Sequence, residues 1–326
     1  MTVAELRRAL ARFPTLALAP GGTPIELLDR LSAIIGGGPR LFIKRDDSIH
    51  FAFGGNKVRK LAFVAARAQA DGADTLITAG AVQSNHARVT ACTAAKLGMR
   101  AILVVNGARP QTPTANALLD ALVGAEVVYV SSRDERLMKM NEIAVQLRAE
   151  GRRPFEIPVG ASTPLGALGY VSAVAELAEQ APVPDVIVHA TSSGGTQAGI
   201  VAGCRLLDLP TRIVGISADE SVGATQITVR AIVSGIADLL EIEPVELLRG
   251  ARIEVDDRFV GSGYGVPTQA SLEATELAAR TEAIFLDPVY TAKAMAGLIA
   301  YVRQQRFTER QTVLFWHTGG QVGLFA

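Results

Sequence analysis

The chain has 326 residues, of which 49% are hydrophobic and 20% charged, enough to bury a large core that we expect to be divided between two lobes. Its 32 Lys and Arg side chains balance 32 Asp and Glu side chains, so nucleic acid and acidic membrane surfaces are not predicted partners. No apolar run approaches the roughly 18 residues that span a bilayer. Cys92 and Cys204 stand far apart and form neither a disulfide framework nor a metal-ligand cluster. A soluble protein of the reducing cytoplasm is therefore predicted.

Short β-branched runs alternate with longer amphipathic stretches from about residue 74 onward. The predicted strands are DTLITAG, RAILVV, EVVYV, FEIPVG, DVIVHAT, RIVGISA, AIFL and TVLFWHT. The predicted helices between them include ARVTACTAAKLG, TANALLDALVG, RLMKMNEIAVQLRAE and LGALGYVSAVAELAEQ. This order predicts an α/β fold with two open, twisted parallel sheets and helices on both faces.

The strands divide into two sets. Those near residues 76, 101, 126 and 155 complete one four-stranded unit, whereas those near 187, 213, 284 and 313 require a second sheet, which RLFIKRD is expected to join. We therefore predict a small domain at 48–160 and a large domain formed by 1–47 plus 161–326. Ligands bind α/β folds at the carboxyl ends of strands, so the notable loops are expected to converge in the cleft between the domains.

Lysine is rare among the cations of this chain, with six Lys against 26 Arg. Only a lysine amine can lose its proton and form an imine, so Lys57, in the glycine turn GGNKVRK before a predicted helix, is a candidate for covalent chemistry. The alternative is a solvated Lys after a capping Asn56. Three cations in one first helical turn, Lys57, Arg59 and Lys60, are unfavourable there and indicate a nearby anion.

The loop SSGGTQAG lies directly between a predicted strand and a predicted helix. Exposed backbone N–H groups, two glycines and hydroxyl side chains at a helix N-terminus are typical of a phosphate cup, which we place at residues 193–196. The alternative is a purely structural strand-to-helix turn. The loop lacks the Walker lysine and the GxGxxG pattern, so a monophosphate is favoured over a nucleoside triphosphate or a dinucleotide.

A third loop, GAVQSNHAR, again connects a strand end to a helix, and its polar side chains are placed to reach a flat cofactor. Ser84 and Asn85 are also ordinary N-cap residues, so a structural role stays open. His86 does not indicate a hydrolase triad, because the chain has no GxSxG nucleophile elbow. The four histidines have no metal-binding spacing, so no metal site is predicted.

Taken in order, GGNKVRKL, GAVQSNHAR, SSGGTQAG, GYGVP, LDPVYTAKAMAGLI and HTGGQVGLF resemble the family that contains D-cysteine desulfhydrase and 1-aminocyclopropane-1-carboxylate (ACC) deaminase. The motifs cover nearly the whole chain. The resemblance implies pyridoxal phosphate as cofactor, the tryptophan synthase β-like fold (fold type II), and a homodimer.

The resemblance also implies a role for each motif residue. Lys57 would carry the cofactor as a Schiff base and move the α-proton. The phosphate would be held by Lys60, Ser193, Gly194, Gly195 and Thr196. Asn85 would bond to O3′ of the cofactor ring. Substrate contacts would come from Ser84, near the carboxylate, and from Asn85, His86, Tyr264 and Tyr290, the last two near the reacting carbons.

Two positions distinguish members of this family. ACC deaminases typically have Glu at the position of Thr291, facing the ring nitrogen, and Leu at the position of Thr318. A neutral Thr stabilises a protonated ring nitrogen less than a carboxylate does, so the cofactor is expected to be a weaker electron sink. Such a sink suffices when the substrate carries a good β leaving group.

We therefore predict β-elimination from a β-substituted amino acid, with D-cysteine giving pyruvate, sulfide and ammonia. The alternatives are an L-cysteate sulfo-lyase, which releases sulfite, an ACC deaminase, or a non-catalytic amino-acid or phosphate-ligand binding protein on the same scaffold. A cation placed for the sulfonate would distinguish the sulfo-lyase, and the sequence alone does not locate one.

Overall fold

The structure is a computed structural model that describes residues 1–180 and 182–326. In the described residues the strands are β1 (Ile25–Leu27), β2 (Arg40–Arg45), β3 (Thr75–Ala81), β4 (Arg100–Asn106), β5 (Glu126–Val130), β6 (Pro154–Ile157), β7 (Val186–Thr191), β8 (Arg212–Ser217), β9 (Glu254–Asp256) and β10 (Thr312–His317). The α-helices are α1 (Val3–Leu10), α2 (Asp29–Ile35), α3 (Asn56–Ala70), α4 (Asn85–Leu97), α5 (Ala115–Leu122), α6 (Glu135–Ala149), α7 (Pro164–Gln180), α8 (Gly195–Leu206), α9 (Val222–Leu240), α10 (Pro244–Leu248), α11 (Gln269–Glu282) and α12 (Thr291–Arg303).

The strands form two separate sheets. The larger has the order β1-β2-β10-β7-β8-β9 and the smaller β5-β4-β3-β6. All pairings are parallel except that between β1 and β2, which is antiparallel. The sheet topology confirms the predicted α/β class, and it confirms that RLFIKRD (β2) joins the second sheet.

The larger sheet buries both faces, as its side-chain alternation shows. Ile187 and Leu314 pack with helices α7, α8 and α9 in one hydrophobic cluster. Val186, Val188 and Val313 pack with α2, α11 and α12 in another. Because neighbours along a strand point to opposite faces, two apolar layers of helices are needed to cover β7 and β10.

The smaller sheet follows the same rule. Leu103 packs with α3 and α4. Its neighbours Ile102 and Val104 pack with α6 on the opposite face. Helices therefore cover both faces of both sheets, as predicted. The exact domain boundaries, 48–160 against 1–47 plus 161–326, stay a prediction.

Seven of the eight predicted strands are present, and the eighth, AIFL at residues 283–286, is not a strand. Ile284 and Leu286 are buried in the cluster around α12, whereas Phe285 between them is 59% exposed. This burial with period two mimics a strand, although the segment only connects α11 to α12. The edge of the sheet is formed instead by β9, a three-residue strand too short for its pattern to stand out.

Within the described residues, none of the helices combines the length and the apolar character that a membrane crossing requires. The longest of them, α9, has 19 residues and belongs to the helical layer on one face of the larger sheet.

A fully buried carboxylate, Asp46, lies immediately after β2. Its oxygens accept hydrogen bonds from Arg59 (2.8 and 3.0 Å), Tyr170 (2.6 Å), Trp316 (2.9 Å) and Thr23 (3.0 Å). Burial by itself raises the pKa of Asp46, but the Arg59 charge and these donors outweigh burial and hold the pKa below its usual value. One carboxylate therefore joins the end of β2 to α3, α7 and β10.

Removal of this carboxylate is expected to be costly. Asp46→Ala leaves Arg59 buried beside a cavity with only Glu176 to pair with, so we expect a loss of about 3–5 kcal/mol in the free energy of unfolding. Asp71→Ala is the matched control, because Asp71 forms an exposed i,i+4 ion pair with Arg67, and such pairs contribute little. Urea unfolding of the two variants and the parent tests this difference. Equal, small losses in both variants would contradict the role given to Asp46.

Candidate active site

A cavity of about 180 Å³ lies where the carboxyl ends of strands from both sheets meet. Its walls come from the ends of β3 and β7 and from loops that follow β5, β6, β8 and β10. The predicted site residues that line it are Lys57, Lys60, Ser84, Asn85, His86, Ser193, Gly194, Thr196, Tyr264, Tyr290 and Thr318. The expected convergence of the loops is therefore observed.

The turn before α3 brings Lys57 into this cavity. Gly54 and Gly55 have φ angles of 70° and 98°, and a Cβ on Gly55 would lie 2.8 Å from the Thr318 carbonyl oxygen. Glycine is required at Gly55 on both counts. Gly55 is also the N-cap of α3, and no side chain caps this helix, so the interpretation of Asn56 as a cap was wrong.

Asn56 instead connects Lys57 to the phosphate cup. Its side-chain nitrogen donates to Thr196 Oγ1 (3.0 Å), and its side-chain oxygen accepts from Lys57 Nζ (3.1 Å). Sequence reasoning missed this contact because it joins helix starts that are 140 residues apart.

The Lys57 amine has an unusual acidity for a lysine. Burial lowers the pKa of Lys57 to about 8; the Asp287 carboxylate opposes this shift and the Arg88 charge adds to it. At pH 7 a lysine with a pKa of about 8 is unprotonated in about a tenth of the molecules, far more than a lysine of ordinary pKa. It is therefore a competent nucleophile toward an aldehyde and a competent proton acceptor.

Lys60 is a buried cation without a counter-ion. Its side chain is 1% exposed, and its amine donates to the Gly160 carbonyl oxygen (3.2 Å) and to Ser162 Oγ (3.1 Å). No carboxylate of the described residues lies within 4.0 Å of it. Burial, and then the charge of Lys57, lower the pKa of Lys60 well below its ordinary value. An unpaired buried charge is costly, so the site favours a bound anion.

Arg59 does not belong to this anion site, although the sequence grouped it with Lys57 and Lys60. A helix turns by about 100° per residue, so Lys57 and Lys60 share a face while Arg59 points to the other side. There it pairs with Asp46 and Glu176, both at 2.8 Å. The inference from three clustered cations was therefore wrong for one of them.

The predicted phosphate cup, residues 193–196, lies at the start of α8. Gly194 is the N-cap of α8 with φ 76°, and a Cβ on Gly195 would lie 2.8 Å from both Lys60 Nζ and Ser162 Oγ. The Ser193 and Ser162 hydroxyl oxygens are 2.7 Å apart. First-turn backbone N–H groups of a helix have no intrahelical acceptor, so donors, hydroxyls and the Lys60 cation converge on one point. Ser162 was missed, although its place shortly after β6 was a usable signal.

Asn85 presents a hydrogen-bond donor to the cavity. Its side-chain oxygen accepts from Arg88 (3.0 Å) and from Asn116 (3.1 Å), both of them donors. These contacts fix the amide orientation and leave the Asn85 nitrogen free to donate. Arg88, only 1% exposed, also bonds to the Asn116 side-chain oxygen (2.7 Å) and so locks the arrangement.

Ser84 and His86 differ in what they offer the cavity. Ser84 Oγ accepts from the Ala87 amide at 3.2 Å, so Ser84 is the N-cap of α4 as well as part of the wall. His86 Nε2 is 2.7 Å from the Thr78 hydroxyl, which donates its own proton to the Ile157 carbonyl. Burial lowers the pKa of His86 well below its usual value, so the ring is neutral. Its expected substrate contact stays a prediction.

The motifs near the C-terminus place some residues in the cavity wall and others behind it. The Tyr264 and Tyr290 hydroxyl oxygens are 2.6 Å apart, and burial raises the pKa of both groups, so both keep their protons. Thr318 lines the cavity but Thr291 does not. The Thr291 hydroxyl donates to Asp287 Oδ1 at 2.6 Å and accepts from the Asp287 amide at 2.8 Å. The expected cofactor contact of Thr291 is therefore absent from the cavity wall.

Four charged residues at the cavity were not among the sequence candidates: Arg133, Arg136, Asp219 and Glu220. Arg133 bonds to Asp219 (2.9 Å) and stacks on the Tyr264 ring (4.7 Å). These residues follow β5 and β8, so charged side chains just beyond strand ends were a signal that could have found them. Their meeting across two sheets is a tertiary contact that sequence spacing does not show.

This set of groups fits pyridoxal phosphate. A lysine amine of lowered pKa suits the aldehyde, and the buried, unpaired Lys60 with the phosphate cup suits the phosphate. The free Asn85 amide donor in the same cavity suits the ring hydroxyl. Within the described residues there is no cluster of His, Cys, Asp and Glu that could hold a metal ion.

Comparison with known proteins agrees with this chemistry. Residues 16–319 match the family described as pyridoxal-phosphate dependent enzyme. A D-cysteine desulfhydrase of Klebsiella pneumoniae (strain 342) is 42% identical over 325 residues, which are 97% of each chain. A D-cysteine desulfhydrase of Serratia proteamaculans (strain 568) is 42% identical over 331 residues, 99% of this chain and 98% of the other.

A solved structure described as an ACC deaminase homologue superposes with a TM-score of 0.90 at 39% identity, covering 98% of this chain and 96% of the other. The likeness extends over nearly the whole chain, and therefore over both sheets. It confirms the expected fold type II architecture and the expected cofactor. The chain belongs to the family of pyridoxal-phosphate dependent enzymes.

Proposed function

We propose that this enzyme removes the β-substituent of an amino acid by elimination, with D-cysteine as substrate and pyruvate, sulfide and ammonia as products. The observation that carries the proposal is the Lys57 amine, with a pKa of about 8, placed in one cavity with the phosphate cup and the Tyr264–Tyr290 pair. The desulfhydrase relatives at 42% identity support the choice of D-cysteine.

Each wall of the cavity has a separate task in this proposal. Lys60, the hydroxyls of the phosphate cup and the α8 N-terminus bind the phosphate, and the Asn85 nitrogen donates to the ring hydroxyl. Ser84, at the N-terminus of α4, binds the substrate carboxylate. The bound cofactor supplies an electron sink that acidifies the α-C–H bond of the substrate. These interactions leave Lys57 as the group that moves protons.

The elimination then requires one base and one acid. Lys57 Nζ takes the α-proton, the β-carbon–sulfur bond breaks, and sulfur leaves with the electron pair. The Tyr264–Tyr290 pair, which shares one short hydrogen bond, has a second hydroxyl proton to donate to the departing sulfur. Water hydrolyses the remaining three-carbon imine to pyruvate and ammonia.

Assembly and location are part of the same proposal. We infer a homodimer, as the family resemblance implies, working in the cytoplasm. The free thiols of Cys92 and Cys204 are compatible with a reducing compartment. Light scattering during size-exclusion chromatography measures the mass of the assembly directly.

Lys60→Met is expected to have effects of opposite sign on folding and on cofactor binding. Methionine is similar in length to lysine, and the substitution removes a buried, unpaired charge. The free energy of unfolding of the apoprotein should therefore stay the same or increase. It also removes a charged partner of the phosphate, so the Kd for pyridoxal phosphate should rise about 10- to 100-fold. Urea unfolding of the apoprotein and equilibrium titration with the cofactor measure the two effects.

Lys139→Met is the control for that substitution, because Lys139 lies on the surface in an ion pair with Glu142. Both measurements should stay close to those of the parent. A Lys60→Met protein that binds the cofactor as tightly as the parent would remove Lys60 from the phosphate site.

The substrate assignment is tested by the reaction products of the wild-type enzyme. Pyruvate released from D-cysteine is compared with 2-oxobutyrate released from ACC, with L-cysteine as the stereochemical comparison. We expect kcat/KM for D-cysteine to exceed that for ACC by about 100-fold or more, because neither Thr318 in the cavity wall nor Thr291 behind it supplies a carboxylate for the ring nitrogen. A preference for ACC would overturn the substrate assignment and leave the cofactor site intact.

A further inference from the structure

The loop between β9 and α11 carries Tyr264, one half of the tyrosine pair, but has few contacts of its own. Residues 258–267 are all exposed or half-buried, and Gly261 and Gly265 have φ angles of 72° and 76°. Glycine permits these conformations and supplies no side chain that could pack against the fold. The position of Tyr264 must therefore be fixed from outside the loop.

Lys293, on α12, supplies this support. Its amine donates to the Val260 carbonyl oxygen at 2.7 Å and to the Gly263 carbonyl oxygen at 3.0 Å. Among the described residues, no other hydrogen bond joins the backbone of residues 259–266 to a different helix or strand. One ammonium group therefore holds the beginning of the turn and the residue directly before Tyr264.

A lysine is an unfavourable residue at this position on general grounds. Only 1% of its surface is exposed, and it lies in the first turn of α12, where the helix dipole disfavours a cation. No carboxylate of the described residues lies within 4.0 Å of its amine, and Asp219 and Asp287 favour its charged form only from a distance. The two loop carbonyl oxygens are what the ammonium group serves.

The start of α12 also positions the other tyrosine. Tyr290 directly precedes this helix, and the amides of Val289 and Tyr290 donate to the Asp287 carboxylate at 3.0 and 2.9 Å. Lys293 follows three residues later. The same helix start thus presents Tyr290 directly and Tyr264 through Lys293, and the two hydroxyl oxygens lie 2.6 Å apart.

The remaining contact of Tyr264 does not replace this anchor. Arg133 covers the Tyr264 ring at 4.7 Å and pairs with Asp219, but it comes from the loop after β5 of the smaller sheet. A stacked side chain leaves the backbone of the tyrosine free to shift. The hydrogen bonds from Lys293 restrain that backbone directly.

We propose that Lys293 is a positioning residue for proton donation, which fixes the loop so that Tyr264 stays in contact with Tyr290 when the β-carbon–sulfur bond breaks. This inference rests on the proposed elimination, in which the tyrosine pair is the acid. The sulfur leaves with the electron pair of the broken bond and takes a proton from the tyrosine pair, and solvent water restores that proton. Lys293 itself does not line the cavity.

The test compares a leaving group that gains from an acid with one that does not. Sulfide is basic and benefits from a proton, whereas chloride leaves without one. With the pyridoxal-phosphate-loaded enzyme, Lys293→Met should lower kcat/KM for D-cysteine about 30-fold or more and that for the D enantiomer of β-chloroalanine about threefold or less. Tyr264→Phe should show the same selectivity, with pyruvate release as the assay for both substrates.

Combining the two substitutions tests whether Lys293 acts through Tyr264. Once Tyr264→Phe has removed the hydroxyl, Lys293→Met should lower kcat/KM for D-cysteine by about a further twofold or less. Lys293→Arg should recover part of the activity, because a charged donor returns to the two carbonyl oxygens. Losses that multiply in the double variant would show that Lys293 acts elsewhere and would overturn the inference.

Arg303→Met is the matched control, since Arg303 lies in the last turn of α12 in an exposed ion pair with Glu273. Its kinetic constants should equal those of the parent. Hydrogen exchange measured by mass spectrometry supplies a readout that does not depend on turnover. A peptide that contains residues 259–266 should exchange about threefold faster in Lys293→Met and at the parent rate in Arg303→Met.

Cofactor absorbance and stoichiometry, measured for every variant, verify that each retains a formed site. Lys293→Gln, which keeps an amide donor, provides a second variant should Lys293→Met not fold, and it should show the same selectivity for D-cysteine in a weaker form.

The outcomes separate the inference from the proposed function. Parent-like turnover of D-cysteine by the Lys293 variants, or equal losses for both substrates, overturns the role of Lys293 and leaves the elimination standing. Equal losses for both substrates in Tyr264→Phe overturn the tyrosine pair as the acid, and the inference with it. A wild-type enzyme that releases pyruvate from neither amino acid overturns the proposed function and the inference together.

Discussion

The buried carboxylate of Asp46 determines where the candidate site forms. The carboxylate binds Arg59 on α3, and the backbone oxygen of Asp46 accepts a hydrogen bond from the Gly55 amide at 2.8 Å. Asp46 therefore positions the turn that presents Lys57. It also accepts from Trp316 on β10, close to the loop that supplies the opposite wall. A single buried anion thus orients both the helix that carries the reactive amine and the strand facing it. Such an arrangement is costly to break because every partner is itself buried or nearly so.

The buried cations of the chain differ in whether a carboxylate neutralises them, and this difference distinguishes a cation that supports the fold from cations of the candidate site. Arg59 is fully paired and supports the fold. Lys60 has only neutral partners. Its unpaired charge lowers the stability of the apoprotein and favours the binding of a phosphate. Lys57 has a pKa lowered to about 8 by burial, which suits a group that must alternate between nucleophile and base. In the proposed function, the missing counter-ion of Lys60 favours a phosphorylated ligand in the cavity.

Much of this was predictable from the sequence, and the failures have physical causes. Apolar runs between amphipathic stretches predicted seven strands correctly. Strands of a parallel sheet are buried on both faces, so their sequences are nearly continuous runs of apolar, often β-branched residues. AIFL failed because alternating burial against a helix has the same period as a strand. The glycine loop and the scarcity of lysine pointed to Lys57, Lys60 and residues 193–196, most of which line one cavity. Arg59 was misplaced because its spacing was considered without the rotation of the helix. Ser162 and Arg136 needed the tertiary structure, which alone shows that loops from different sheets meet.

The account depends above all on Lys57 as the residue that holds the cofactor. Borohydride reduction of the yellow holoenzyme, followed by peptide mapping, identifies the lysine that carries the reduced phosphopyridoxyl group among the six in the chain. We predict one labelled peptide, which contains Lys57, with no label in Lys57→Ala protein treated in the same way. A label on Lys60 or on any other lysine, or an unchanged label in the variant, would contradict the account.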